Sequence, residues 1–263
     1  MTRLLAAMKT DVVLQARNQL YGISIGVALV SAAALAWLSP LDLVAGTFPM
    51  ALLMFVGGST LLYVVAMIIL EKDDGTLAAI AVSPLRPREY LAAKVVTLSA
   101  LATLEGVLIV AGAWLILRRN GDLPLPSAWT LVGLVALAVM HVLVGIVLVV
   151  RYQRITEAML PMGAVATVLQ LPALYFVGAI DHPALLAIPS AAPTLLIRAG
   201  FAPLATWEWV YALAGSAVTI ALLALWSARA FETHVLARIA CRPSSSRGVW
   251  PRTTCASSCA TGC

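Results

Sequence analysis

Long apolar runs alternate with short charged stretches along this chain. The runs lie at about 20–38, 49–70, 95–117, 129–150, 158–179 and 208–228. Each is close to the ~20 residues an α-helix needs to cross a hydrocarbon core about 30 Å thick. The pattern predicts an all-α membrane protein with six transmembrane helices. Residues 1–19 precede the spans, 20–235 form the transmembrane domain and 236–263 form a tail.

Three stretches depart from the spanning pattern. Before the first run, Leu4, Leu5, Met8, Val12 and Ala16 share one helical face, and Arg3, Thr10 and Arg17 share another. This predicts an N-terminal amphipathic helix lying at the cytoplasmic membrane surface, or else a solvated start to the first span. Between the fifth and sixth runs, Ile180 to Thr206 is apolar but broken by Pro183, Pro189, Pro193 and Pro203, so it cannot form one continuous span. A short helix beginning at Pro193 and running through Arg198 to a stop at Gly200 would make a re-entrant or outer element, the alternative being an irregular outer loop. After Ala240 the composition turns to Ser, Thr, Arg, Gly and Cys, and Cys241, Cys255, Cys259 and Cys263 all fall there. That composition predicts a disordered cytoplasmic tail. Its four-residue Cys spacing fits zinc poorly, and a reducing cytosol disfavours disulfides.

Composition sharpens this picture. Charged residues make up 11% of the 263 residues, less than half the roughly 25% of a soluble domain, and mean hydropathy is +0.97. No cleavable signal precedes the first span, because the leading segment is long and polar and no small-residue cleavage site follows it. With the N-terminus inside, fourteen of the seventeen Lys and Arg residues fall on the inner side, leaving Arg118, Arg119 and Arg198 outside. Trp37, Trp114, Trp129, Trp207 and Trp209 then meet the outer interface, where an amphipathic indole is favourable. The expected location is therefore the cell membrane, multi-pass, with both termini cytoplasmic. The net charge of +5 reflects topology and an anionic inner leaflet, and no nucleic-acid partner is implied.

The stretch EKDDGTLAAIAVSPLRPREYLAAK, Glu71 to Lys94, is the longest charged interruption between spans. Asp73 or Asp74 can cap a helix over Thr76–Val82, with Leu77, Ile80 and Ala81 forming a small apolar face. Ser83-Pro84 ends that helix, and Pro87 with Glu89 starts the next one, which leads into span three. The result is a short helix held across the membrane surface by stiff joints, an element suited to transmitting force.

At these residues the chain resembles the ABC-2 type permease family, the membrane subunits of ATP-driven exporters. The matching positions are Glu71, Gly75-Thr76-Leu77, Pro84 and Glu89, while Ala78 stands where relatives often carry an acid. The resemblance implies that Thr76–Val82 is a cytoplasmic coupling helix seated on an ABC ATPase subunit, with Glu71, Asp73, Asp74, Gly75, Thr76, Leu77, Ile80, Pro84 and Glu89 forming the coupling segment. It also implies a second permease half, identical or a sister chain. The six-span layout and the Pro193–Arg198 stretch resemble the family as well, so the resemblance covers about residues 1–235. The small size and Ala-rich character most resemble drug-export permeases of actinobacteria, including fluoroquinolone exporters.

The chain itself shows no P-loop, since Lys9, Lys72 and Lys94 follow Met8, Glu71 and Ala93 rather than a glycine. No cofactor is expected on this chain, ATP and Mg belonging to the partner subunit, and the chain is not read as an enzyme. H-E-x-x-H and G-x-S-x-G motifs are missing from the spans as well.

Inside the spans, Glu105 and His141 sit near the middle of spans three and four. A buried ionisable group costs about 2.5–3.5 kcal/mol to insert on translocon scales, so each is a functional candidate. They could bond to one another across the helices or line the substrate path; the alternative is that each bonds to nearby Ser, Thr or backbone as packing glue. Gln170 and Tyr175, flanking Pro172 in span five, are further candidates for the path. Gly57-Gly58-Ser59-Thr60, Gly106 and Gly112 read as small residues for close helix contact. The expectation is a permease exporting an amphiphilic drug or lipid. A proton-coupled secondary transporter using Glu105 and His141 is the alternative.

Overall fold

The computed structural model describes residues 2–73, 87–119, 121, 123, 125–152 and 154–231. Among them the chain is helical and carries no strand. Six of the helices are long and apolar enough to cross a membrane, and the protein is an all-α membrane protein of six spans.

Helix α1 covers Thr2–Arg17, α2 Leu20–Leu38, α3 Val44–Asp73, α4 Pro87–Leu117, α5 Ala128–Val149, α6 Ile155–Gln170, α7 Ala173–Phe176, α8 Ala191–Arg198 and α9 Thr206–Phe231. Two 3-10 turns, Leu41–Leu43 and Pro183–Ala187, connect them. Within a membrane all backbone N–H and C=O groups must be paired internally, and a helix meets that demand with its own residues. Packing then decides the arrangement. About two-thirds of the spanning window of α3 and of α5 is buried, against 28% for α6 and 17% for α9. The central pair is therefore α3 and α5, with α2 and α4 on one side, α6 on another and α8–α9 closing the remainder. Leu29, Val30, Leu62, Leu160, Val210, Leu222 and Leu225 point outward, as residues facing hydrocarbon do.

Lipid tails are as apolar as leucine, so close packing rather than water exclusion draws the helices together. Small residues do that here. A Cβ on Gly57 of α3 would lie 2.7 Å from His141 Nε2 of α5, and one on Gly106 of α4 would lie 2.6 Å from a Leu134 methyl. Gly112 meets Ala32 in the same way, and Gly133 meets the backbone nitrogen of Ile197.

Several boundaries differ from the expected ones. Helix α3 begins at Val44, five residues before the expected start of span two, and contains Pro49. A proline in the second turn removes one donor, and the preceding 3-10 turn leads the chain into the helix without a break. Span five is divided. Helix α6 ends at Gln170, Pro172 opens the single turn α7, and Gly178, with φ +73°, reverses the chain. The Ala179 and Ile180 N–H groups donate to the Leu174 carbonyl, closing the turn in the manner of a helix C-terminus.

The short helix expected at Pro193–Arg198 is present as α8, starting two residues earlier. All of its residues from Ala191 to Ile197 are buried, chiefly against α5 and α9. Ser190 donates to the Leu169 carbonyl at 2.5 Å and Thr194 to the Ser190 carbonyl at 2.7 Å, so the start of α8 is tied to the end of α6. The expected helix Thr76–Val82 and the cysteine-rich tail lie outside the described residues.

Candidate functional site

Two polar clusters lie on one apolar seam, the contact of α3 with α4. Helix periodicity puts them there. Lys94 and Glu105 are eleven residues apart on α4, close to three whole turns and so on one face, while Tyr63 and Glu71, eight apart on α3, lie within the same half of that helix's circumference. Running antiparallel, the two helices match Glu71 with Lys94 and Tyr63 with Glu105.

The first cluster joins three helices at the bundle end rich in Lys and Arg. Lys94 is 2% exposed. Its Nζ donates to Glu71 Oε1 at 2.5 Å and pairs with Asp11 Oδ1 of α1. Thr97 donates to the second Asp11 oxygen and Tyr90 to the second Glu71 oxygen. Gln15 adds a longer contact of 3.4 Å to Asp11, and the Lys94 ammonium lies 5.6 Å from the centre of the Tyr90 ring. Asp11 and Glu71 are themselves nearly fully buried. One ammonium thus neutralises part of two carboxylates, and the two hydroxyls satisfy the oxygens it does not reach.

Lys72, the next residue of α3, turns the other way. Its Nζ donates to the carbonyls of Val149, Val150 and Tyr152 at 3.0, 3.4 and 2.6 Å. These carbonyls lie at and just beyond the C-terminus of α5, where the helix dipole favours a cation and a three-donor ammonium fits. Adjacent residues at the end of α3 therefore clamp α1 and α4 on one side and α5 on the other. Residues 74–86 join α3 to α4 directly beyond this junction.

The second cluster lies deeper. Glu105 is fully buried. Its Oε2 accepts from Tyr63 at 2.8 Å and from Ser24 of α2 at 3.3 Å, while Oε1 has no partner. His141 is also buried, but its Nδ1 meets the carbonyl of Leu137 on its own helix at 2.9 Å, and its Nε2 lies against Gly57. Glu105 and His141 therefore do not bond to one another, contrary to one sequence expectation. The tyrosine and serine facing Glu105 from α3 and α2 supply its hydrogen bonds at shorter reach.

The remaining expected residues are dispersed. Gln170 bridges α6 to α3 by donating to the Met54 carbonyl at 3.2 Å. Tyr175 sits on α7 with its ring edge-on to Phe176, 5.7 Å between centres. The four candidates for the path thus do not converge on one point. In the coupling segment, Glu71 is buried and faces Lys94. Glu89 lies in the first turn of α4 and Asp73 ends α3, whereas Asp74, Gly75, Thr76, Leu77, Ile80 and Pro84 are outside the described residues.

Asp11, Lys94 and Thr97 do not stand out in the sequence. Asp11 interrupts an amphipathic helix whose apolar residues Leu5 and Val12 stay exposed while Asp11 and Gln15 are buried, and Lys94, on the helix leading into span three, reads as one more cation of the inner side. Their signal is the helical spacing of polar residues on α4: Tyr90, Lys94, Thr97 and Glu105 all fall on one face.

Comparison with known proteins places this architecture. The model of the fluoroquinolones export permease protein family matches residues 2–239. Two relatives from Mycobacterium tuberculosis, one from strain CDC 1551 / Oshkosh and one from strain ATCC 25618 / H37Rv, are each named fluoroquinolones export permease protein. Each is 28% identical over 244 residues, covering 90% of this chain and 98% of the relative.

Proposed function

Given that this chain belongs to the fluoroquinolones export permease protein family, we propose that it is the membrane half of an ATP-driven exporter, with hydrolysis on a separate ABC ATPase subunit that carries ATP and Mg. The cargo is an amphiphilic drug, fluoroquinolones being the compounds in the relatives' names. A second permease half, this chain again or a sister, completes the transport path. Both termini and residues 74–86 face the cytoplasm, in keeping with the Lys and Arg asymmetry.

The observation that carries this reading is the junction at Glu71 and Lys72. A connecting segment that only linked two spans would need no anchoring. Here its two ends are pinned, Glu71 to Lys94 and Lys94 to Asp11, with Lys72 holding the end of α5. A push on residues 74–86 is then delivered to α1, α3, α4 and α5 together. Because buried ion pairs are costly to break from one side, the junction resists yielding under load.

Purification of the tagged chain from its native membrane tests this. A P-loop ATPase co-purifies with the wild type, and the association is lost in the L77D/I80D double variant while the amount of folded chain is unchanged. Export by the chain alone in proteoliposomes under a proton gradient, without ATP or a partner, would refute the reading in favour of a proton-coupled transporter using Glu105.

A further inference from the structure

The bundle end opposite the Lys94 junction holds a cavity of about 490 Å³ that neither the coupling segment nor the polar seam explains. It is lined by the start of α3 (Gly46, Thr47), by Tyr175 and Phe176 of α7, and by Asp181 and Arg198. Two glycines shape it. Gly46 lets the Phe176 carbonyl approach where a Cβ would sit at 2.5 Å from its oxygen, and Gly178 at φ +73° turns the chain away immediately afterwards. The single helical turn of α7 is thereby laid against α3 with space beside it.

The lining carries one residue of each charge. Asp181 is exposed and makes no hydrogen bond or ion pair among the described residues. Arg198 ends α8, and its Nη1 makes an ion pair with Glu208 Oε1 at 3.7 Å, longer than a hydrogen bond. Glu208 Oε2 is occupied by the Ala205 N–H at 2.8 Å, which caps the start of α9. The guanidinium therefore keeps donors for another acceptor. Asp181 and Arg198 are not paired with one another, Arg198 leaning toward Glu208 instead, and Tyr175 and Phe176 line the same space.

We propose that this cavity binds an amphiphilic zwitterion: a protonated amine against Asp181, a carboxylate or phosphate against Arg198, and an apolar or aromatic body along Tyr175 and Phe176. Arg presents a planar fork matched to such an anion, and the volume suits a drug-sized ligand. Two sources share this chemistry, a zwitterionic drug and the head group of a zwitterionic phospholipid. That the cavity belongs to the export route rests on the exporter reading above; that it binds a zwitterion does not.

The test uses the full chain alone in nanodiscs of phosphatidylglycerol, so it needs neither ATPase nor transport. Three probes are titrated by fluorescence: a fluoroquinolone with a free carboxylate and a free secondary amine, its ethyl ester, and its N-acetyl derivative. The zwitterion binds the wild type about tenfold more tightly than either derivative, about 1.4 kcal/mol. R198Q removes the advantage over the ester, D181N removes the advantage over the N-acetyl form, and R198K retains most of the former. In a second arm, nanodiscs contain phosphatidylethanolamine, and lipid retained on repurification is measured by mass spectrometry. If the head group is the occupant, the wild type retains phosphatidylethanolamine and both neutral variants lose it, while the drug binds all forms alike. Unchanged drug affinity together with unchanged retained lipid in D181N overturns the proposal. Asp181 is exposed and unbonded, so that variant folds as the wild type does.

Discussion

Replacing Lys94 by methionine is the sharpest test of the junction that ties α1, α3 and α4. The substitution keeps most of the side-chain length and removes the one ammonium shared by Asp11 and Glu71. Two buried carboxylates then remain, each with one hydroxyl donor, Thr97 on Asp11 and Tyr90 on Glu71. Breaking a buried pair from one side costs about 3–5 kcal/mol, because the charge left behind is neither solvated nor paired. Neutralising all three, as D11N/K94M/E71Q, removes that penalty while leaving shape and hydroxyl contacts largely in place, so most of the loss is recovered. The assay is the unfolding midpoint of purified protein in one detergent, followed by tryptophan fluorescence. K94M falls far below wild type, and the triple variant lies much closer to it. A K94M protein as stable as wild type would show that the ammonium is not buried between the carboxylates. A triple variant no better than K94M would show that packing, not charge, accounts for the loss.

Other expectations follow from single contacts. K72M loses the three carbonyl contacts at the end of α5, and limited proteolysis within residues 150–154 accelerates several-fold relative to wild type. G133A places a methyl 2.5 Å from the backbone nitrogen of Ile197, which cannot rotate aside. It destabilises the fold by about 1–3 kcal/mol, whereas G26A, with open space around it, is neutral in the same thermal assay. Y63F removes one hydrogen bond to Glu105 and lowers stability by about 1.5–3 kcal/mol if that carboxyl is charged, and by about 1 kcal/mol if it is neutral; the unfolding midpoint distinguishes the two. E105Q keeps the shape of the buried cluster, so its protein level in the membrane matches wild type while export of a fluorescent substrate falls. Unchanged export at unchanged protein level would remove Glu105 from the transport path.

The number and type of spans were legible from the sequence, because a hydrocarbon core imposes a minimum apolar length that no tertiary contact can waive. The short helix ending at Arg198 was legible for a related reason, whereas the division of span five at Pro172 was not, the run 158–179 being long and apolar enough to read as one span. A proline withholds its N–H and restricts its neighbour whatever surrounds it. The extension of α3 back to Val44 was not, since a proline in a second helical turn is tolerated when the preceding chain supports it.

The polar chemistry behaved differently. Glu105 and His141 were visible as ionisable residues in apolar runs, yet their partners were set by which faces the helices turn to one another. Tyr63 and Ser24 reach Glu105, and His141 is left to its own helix and Gly57. Asp11 and Lys94 are 83 residues apart in sequence, and nothing local marks them as a pair. Hydrophobicity and backbone chemistry act over a single turn or a single span, so they can be read along the chain. Charge pairing, and the opposed Asp181 and Arg198 of the cavity, depend on distances between segments, and only the packed bundle sets those.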